Sequence, residues 1–404
     1  MKQEDVIDVR RLLRELSVEE LCASAEEYFA SQRSWEFLLS KPFGSVDETP
    51  HLLIGFAVTL QGLRLAPGMR VLEFGAGSAW ASRFLSQLGC EVIALDASET
   101  ALRIGRELYA RHPLIGDKPT PQFLRFDGRR IDLPDKSVDR VICLDAFHHV
   151  PNTAETLREL GRVLVDGGIA GFSEPGPQHS NSPESQYEMR KFKVVENDIV
   201  IENIYREAQA AGFTDIKLAV FNVPSFQLSL AEFTDFLQGG AAGARYLQAT
   251  RDFMQNQRNF FLFKGAAEML DSRRRRGLAA RLRVTLDEKI VREGDALSLR
   301  ATIENAGAAA WLPKTATLGA VYLGCHLQDA QGTELNHDYH WEPLTEGDGR
   351  TVFPQETIEV ELKIPAPSAG RYVLEFDLVS HGIGWFALYG SEVARVNLEV
   401  RVKE

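Results

Sequence analysis

The sequence predicts a doubly wound α/β domain with a mostly parallel, seven-stranded sheet, followed by an all-β sandwich. Three observations predict it. Short apolar strands alternate with amphipathic helices from residue 66 to 265. The first strand runs straight into a Gly-x-Gly turn that opens a helix, Val71-Leu72-Glu73-Phe74-Gly75-Ala76-Gly77-Ser78. From residue 279 onward the apolar period falls to two and stays there.

At 404 residues the chain is long enough for two domains. A formal net charge of −12 makes nucleic acid and anionic membrane poor partners. Cys22, Cys90, Cys143 and Cys325 are scattered without a Cys-x-x-Cys pair, so reduced thiols and a cytoplasmic setting are expected. The opening Met-Lys-Gln-Glu-Asp has no apolar signal region, and no run of about 18 apolar residues predicts a membrane span.

Residues 1–65 are expected to form a helical cap. Ser17-Val18-Glu19-Glu20 is a capping-box pattern, and Leu21, Ala25 and Phe29 repeat at helical spacing. The cap closes over a ligand or simply adds a packing layer. Residues 41–51 are rich in turn formers and read as a loop, and 52–64 as a helix. The domain proper, 66–265, then runs strand 71–74, helix 78–88, strand 91–95, helix 98–111, strand 122–126, strand 138–144, helix 153–165 and strand 168–173. Helix 200–211, strand 215–222, helices 229–238 and 245–257 and a last strand at 259–264 complete it. Ser98 and Thr153 are expected N-caps, and Gly167 a helix stop. Near-continuous apolar strands predict a sheet buried on both faces.

The turn chemistry narrows the ligand. Gly75 and Gly77 let the backbone approach a ligand without Cβ atoms in the way. Asp96 closes the second strand about twenty residues on, where a carboxylate can accept from both ribose hydroxyls. A third glycine is missing, since Ala79 follows Ser78, and Glu73 would repel a pyrophosphate. A carboxylate beside the turn suits a cationic ligand better, such as a sulfonium with an amino-acid tail.

Four motifs in this order resemble those of the class I S-adenosylmethionine-dependent methyltransferases, a Rossmann-like fold. They are Glu73 to Gly77; Asp96; Phe126-Asp127-Gly128 with Leu133 to Asp139; and Leu160 to Gly168. The resemblance spans residues 66 to 264 and implies S-adenosylmethionine as cofactor, with S-adenosylhomocysteine as product. It places Glu73, Gly75, Ala76, Gly77, Asp96, Ala97, Asp127, Gly128 and Asp145 around that cofactor. Ala79 stands where the family usually has another glycine, a mild departure because alanine is the next smallest residue.

Methyl transfer to a hydroxyl usually needs a general base; an amine needs none once deprotonated. Bases are expected at the carboxyl ends of strands four and five. The candidates are His148, His149, Glu174 and His179. His149 reads more readily as loop support, Glu174 as a loop cap, and His179 as a solvated loop residue. Asp145 lacks an acidic companion, so no metal is expected there, and no histidines show zinc spacing.

Asp271 to Gly277, with four consecutive arginines, lies in the expected linker 266–278. Beyond it, residues 279–404 alternate: Leu297, Leu299, Ala301 and Ile303 face one way, and Ser298, Arg300, Thr302 and Glu304 the other. With turns at 305–307, 329–332, 346–349 and 369–370, about seven strands are expected. Asn305-Ala306-Gly307 with Trp311, Leu323 to Leu327 and Gly384-Trp385-Phe386 resemble immunoglobulin-like accessory domains of bacterial polysaccharide proteins. That resemblance implies a sugar or glycoconjugate acceptor, a glycosyltransferase partner, and polysaccharide biosynthesis as the setting. Tyr339, Trp341 and Trp385 would then be the sugar-binding aromatics, against the alternative that they are buried sandwich core. His337 and Tyr339 alternate away from His340 on a regular strand, which argues against a chelate. Two rival readings remain: a small-metabolite methyltransferase whose sandwich serves homo-oligomerisation, and a catalytically silent cofactor-binding scaffold.

Overall fold

The computed structural model describes residues 6–220, 226–266, 270–345 and 349–402. The chain divides into two compact units, Met1–Glu268 and Met269–Glu404.

Unit 1 begins with α1 (Val9–Glu15), α2 (Val18–Ala30), α3 (Glu36–Leu39) and α4 (Thr49–Leu63). The capping box at α2 is complete: Ser17 Oγ accepts from Glu20 N and the Glu20 carboxylate accepts from Ser17 N. The alternation follows: β1 (Arg70–Phe74), α5 (Trp80–Gln87), β2 (Glu91–Asp96), α6 (Glu99–Arg111), β3 (Gln122–Arg125), β4 (Val138–Leu144), α7 (Thr153–Val163) and β5 (Leu164–Pro175). Then come α8 (Pro183–Phe192), α9 (Ile201–Ala210), β6 (Asp215–Leu218), α10 (Leu230–Leu237), α11 (Ala241–Asn256) and β7 (Gln257–Phe263).

The sheet order is β3-β2-β1-β4-β5-β7-β6, parallel except for β7, which runs antiparallel to both β5 and β6. Adjacent residues of its central strands enter different cores. Leu72, Ile93, Val141 and Ala170 join α7 and α9 on one face. Val71, Val92, Ile142 and Ile169 join α4, α5 and α6 on the other. Two covered faces explain why these strands are continuously apolar. The chain order reverses beside β1, which pairs with both β2 and β4. A crevice at the carboxyl ends of those strands is where such sheets bind ligands.

Several local expectations needed revision: the ten-residue α8 was not expected, and α4 starts inside the expected loop 41–51. Asn152, not Thr153, is the N-cap of α7, and it makes no side-chain cap. The helix stops at Val163, so Gly167 lies inside β5 instead of ending a helix; its φ is +81°. Strand β6 ends at Leu218, four residues before expected; residues 221 and 222 lie outside the described residues. The expected linker is not a free connector. Ser272 is fully buried, donates to Gly319 O at 2.6 Å and accepts at its own carbonyl from Ser380 Oγ at 2.6 Å. Asp271, which bridges to Ala310, holds Arg273 at 2.7 Å, so the start of this basic run is folded into unit 2.

Unit 2 contains β8 (Ala280–Leu286), β9 (Ile290–Arg292), β10 (Ala296–Asn305), β11 (Val321–Asp329), β12 (Glu334–Pro343), β13 (Thr357–Pro365), β14 (Gly370–Ser380), β15 (Gly384–Trp385) and β16 (Ala394–Arg401). The described residues thus hold two strands more than expected, the short β9 and β15. One sheet has the order β13-β10-β8 and the other β12-β11-β14-β16-β9, with β15 paired to β14. The inward residues Leu297, Leu299, Ile303, Leu323, Phe376 and Leu378 meet in one core around Trp311. Of the expected turn at 346–349, residues 346–348 lie outside the described residues.

Candidate active site

A cavity of about 590 Å³ opens at the carboxyl ends of β1, β2, β4 and β5. Its floor is the turn after β1. Gly75 N and Ala76 N both donate to Leu95 O, at 2.9 and 3.0 Å, which folds the turn back over β2. Gly77 N donates to Asp96 Oδ2 at 2.7 Å, and Ser98 N to Oδ1 at 2.8 Å. Asp96 is therefore fixed by the backbone before any ligand arrives. Burial pushes its carboxyl up, and the two amides oppose that shift.

Gly75 and Gly77 take φ of +71° and +53°, the left-handed region. At Gly75 the constraint is also steric, since a Cβ would fall 2.3 Å from Ala146 Cβ in the turn after β4. At Gly77 a Cβ would come no nearer than 3.8 Å to Phe29. Ala79 holds φ +56° with no exposure at all, where a glycine would be unstrained.

Ala76, Gly77, Ala97 and Asp145 line the cavity beside Asp96. The free surface of Asp145 faces this space, and the surrounding protein, then Glu174, pushes its carboxyl up. Three expected residues sit elsewhere. Glu73 is buried behind the turn, where its carboxylate accepts from Ser82 N at 2.8 Å and from Ser82 Oγ. It fastens α5 to β1 and does not reach the cavity. Asp127 is exposed; its Oδ1 accepts from Arg129 N and Arg130 N at 2.8 and 2.7 Å, closing its own turn. Gly128 packs under α2, where a Cβ would lie 2.6 Å from Cys22 Sγ.

The N-terminal helices form a wall of the cavity through Leu21, Ala25, Tyr28 and Phe29 of α2 and Leu38 of α3. Glu26 fixes α2 by accepting from Ser98 Oγ, Thr100 N and Thr100 Oγ1 at 2.6, 3.0 and 2.5 Å.

The acid–base groups gather at the end of β5 and in the turn after β4. Glu174, at the end of β5, is fully buried and accepts from Ala146 N, Phe147 N and His148 N at 3.1, 2.9 and 3.2 Å. Its Oε2 stands 2.7 Å from His148 Nδ1. Burial resists charge on Glu174, but His148 and these amides outweigh it and hold the carboxyl below its usual range. Glu174 does not line the cavity, so it positions His148 instead of meeting an acceptor. His148 does line it. Burial, with the adjacent His149, lowers its pKa. A neutral imidazole bound to a carboxylate at Nδ1 keeps its lone pair on Nε2.

His149 behaves oppositely. Burial works against its charge, but Glu196 Oε1 at 3.3 Å and Val195 O at 2.8 Å raise it to about 9. His179 Nε2 lies 2.8 Å from Glu196 Oε2, with Ser185 Oγ at 3.2 Å. His179 is thus part of the wall, not a solvated loop residue. Glu196, 3% exposed, joins all three imidazoles, with His148 Nε2 4.0 Å away; its histidine partners drive its pKa far down against its burial. Sequence reasoning missed Glu196. Its one signal was a carboxylate directly after the apolar pair Val194-Val195. The segment 194–200 has no helix or strand, and Asn197 ties it to the histidine turn through His148 O and Val150 O, both at 2.8 Å.

Three buried oxygens of the cavity residues have no hydrogen-bond partner: Ser78 Oγ, Asn152 Oδ1 and Glu188 Oε2. A polar ligand is the natural partner for such atoms. Together with the glycine turn and Asp96, they fit a nucleoside that carries an amino-acid tail.

In unit 2, Trp341 and Trp385 meet edge-on at 5.6 Å, with Tyr322 5.8 Å from Trp341. Tyr339 is not part of this face. It packs against the sandwich core and donates from Oη to Pro365 O at 2.6 Å. The two register shifts between β11 and β12 fall beside Tyr339, where the regular alternation of the strand is lost.

Residues 72–172 match the profile of the family described as "Methyltransferase domain". The chain is 32% identical over 127 residues to a ubiquinone/menaquinone biosynthesis C-methyltransferase of Ectopseudomonas mendocina, covering 30% of this chain and 48% of that one. It is 33% identical over 112 residues to a sterol 24-C-methyltransferase of Gibberella zeae, covering 27% and 28%. The chain thus spans about half the length of the first relative and under a third of the second. A solved phosphoethanolamine N-methyltransferase of Haemonchus contortus, with S-adenosylhomocysteine bound, superposes with a TM-score of 0.43 at 16% identity over 62% of this chain and 61% of that one. The matched segment is a methyltransferase domain, and its cofactor class is S-adenosylmethionine.

Proposed function

We propose that the chain is an S-adenosylmethionine-dependent methyltransferase that methylates a hydroxyl of a sugar or glycoconjugate. The observation that carries the O–H acceptor is the His148–Glu174 pair at the cavity wall. Asp96 would hold the ribose, the Gly75–Ser78 turn would receive the nucleoside, and Ser78 and Asn152 would offer it their unpartnered oxygens. Bound S-adenosylmethionine supplies an electrophilic methyl group on a sulfonium.

The protein's own task is to orient the acceptor, exclude water and take a proton. His148, which lines the cavity, is the group placed to take the acceptor's hydroxyl proton at Nε2. Glu174, already bound at Nδ1, stabilises the imidazolium that results. His149 is cationic at neutral pH and disfavours a second positive charge beside it, which keeps His148 neutral and ready. The partly exposed Trp341 and Trp385 are the surface in unit 2 on which a sugar ring would stack.

Calorimetry with S-adenosylmethionine and S-adenosylhomocysteine tests the first part. Folded protein that binds neither overturns it. Transfer of labelled methyl to saccharide acceptors tests the second, and any labelled product excludes a silent scaffold. A second reading, methylation of a small apolar metabolite, draws on the quinone and sterol names of the relatives and on Phe37, which lines the cavity yet is 45% exposed. Full activity on such a compound after removal of residues 279–404, with none on saccharides, would favour it.

A further inference from the structure

The pairing of β11 with β12 is irregular at one place. Cys325 faces His340, but the next pair is Leu327 with Asn336, and then Gln328 with Glu334. One residue of β11, His326, therefore stands opposite three of β12, His337 to Tyr339. Such bulges re-aim side chains. Here the result is a cluster. His326, 5% exposed, donates from Nδ1 to the His337 carbonyl oxygen. Its Nε2 therefore carries the lone pair. His337 Nδ1 lies 3.0 Å from Glu334 Oε2, and the two imidazoles stand 4.3 Å apart at 30°. One donor atom from each of His326, Glu334 and His337 falls within 4.8 Å of the others.

The surroundings hold this arrangement in place. The Trp385 ring lies 4.3 Å from that of His326, tilted by 55°, and 5.3 Å from that of His337, edge-on at 78°. It can do so because residue 324 is glycine, where a Cβ would fall 2.2 Å from the indole ring. The buried histidine is walled by an indole and pinned through its other nitrogen to a carbonyl. Metal-binding histidines are commonly oriented in this way. The side chains of His337 and Glu334 are 51% and 50% exposed, so an ion can enter from solvent.

We propose that unit 2 binds a divalent ion of borderline softness, Zn²⁺ above all, through His326, His337 and Glu334. Two imidazole nitrogens and a carboxylate are a zinc ligand set that leaves a fourth position for water or an added ligand. The carboxylate now bound to His337 Nδ1 becomes a ligand in its own right. The site is independent of the methyltransferase reading. It was hidden from sequence inspection because His326 belongs to the neighbouring strand and the bulge cancels the strand's two-residue period.

The second convergent set, His148, His149 and Glu196 in unit 1, serves as the internal control. The experiment is a Zn²⁺ titration of the untagged, chelator-stripped full chain by calorimetry, followed by Co²⁺ absorption spectra. The variants are His337→Ala and Glu334→Gln, which alter exposed side chains, and Glu196→Gln. Circular dichroism confirms that each is folded. The wild-type chain is expected to bind Zn²⁺ in the micromolar range or tighter. His337→Ala should weaken binding at least about tenfold and Glu334→Gln several-fold, with loss of the cobalt d–d bands. Absence of binding by the wild type overturns the proposal. So does binding that survives His337→Ala unchanged, or that disappears only in Glu196→Gln.

Discussion

Glu174 Oε2 stands 2.7 Å from His148 Nδ1, and the same carboxylate accepts the amides of Ala146, Phe147 and His148. One buried group thus fixes both the turn that carries the histidine and the tautomer of its ring. If His148 takes the acceptor proton, His148→Gln should lower kcat by about 10²–10⁴, with little change in the Kd for S-adenosylhomocysteine. Glu174→Gln should lower kcat as well, but through the wrong tautomer. Single-turnover assays on labelled cofactor measure both. Unchanged kcat in His148→Gln would remove the residue from the reaction.

The His148–His149 contact makes a pH prediction. His148 works unprotonated, so kcat/KM should rise with pH through its lowered pKa and then level off. Its lowering comes first from burial and then from His149, which is cationic up to about 9. His149→Asn removes that neighbouring charge, so the acid limb of the profile should move to higher pH. A limb that moves to lower pH, or stays in place, would contradict the assignment.

Asp96 is held by two amides and faces the cavity. Asp96→Ala should weaken S-adenosylmethionine binding by roughly 1.5–3 kcal/mol, the range for hydrogen bonds to a charged group. Isothermal titration measures it. Asp96→Asn should recover part of the loss, because an amide oxygen still accepts.

Most of unit 1 was legible in the sequence because its signals are local. The Gly75–Gly77 turn, the strand-ending Asp96 and the period of each helix are written within a few residues. The histidine wall was only half legible. His148, His149 and His179 could be named, but Glu196, which unites them, follows seventeen residues after His179 in a segment without regular structure. Glu73 was misplaced for a related reason. Strand alternation identifies a residue's face, but it does not show that Ser82 of the next helix covers it. In unit 2, the aromatic face expected of Tyr339, Trp341 and Trp385 lost Tyr339 to the core beside the β12 bulges, which are set by long-range pairing. The folded basic run at 271–273 was hidden likewise, since its partners Gly319 and Ser380 lie far along the chain.

Gly75 is predicted to be a matched pair with Ala146. In Gly75→Ala the φ of +71° costs an alanine about 1 kcal/mol, and the 2.3 Å approach to Ala146 Cβ adds steric strain. Together these should lower stability by roughly 2–4 kcal/mol. Adding Ala146→Gly removes the clash but not the φ penalty, so the double variant should regain part of the loss. Urea denaturation of the four proteins in this cycle gives the coupling directly. Additive effects would mean that the turn after β4 moves away freely.

Glu73 should make the fold lose stability as pH rises. Its carboxyl is buried behind the glycine turn, and burial pushes it up to about 7 despite the two hydrogen bonds from Ser82. In the unfolded chain it titrates at about 4.3. A folded pKa above the unfolded one means that the native state holds the proton more tightly. The stability this contributes is complete below the unfolded value and is lost as pH rises through 7. Within that window the slope approaches about −1.4 kcal/mol per pH unit. Glu73→Gln keeps an oxygen that accepts from Ser82 and cannot ionise, so it should remove this slope while other titrations remain. The difference in unfolding free energy between wild type and variant, taken at pH 5, 6 and 7, isolates the effect. A difference that stays constant over those three points would show that Glu73 is already ionised in the native state, with the Ser82 hydrogen bonds outweighing its burial.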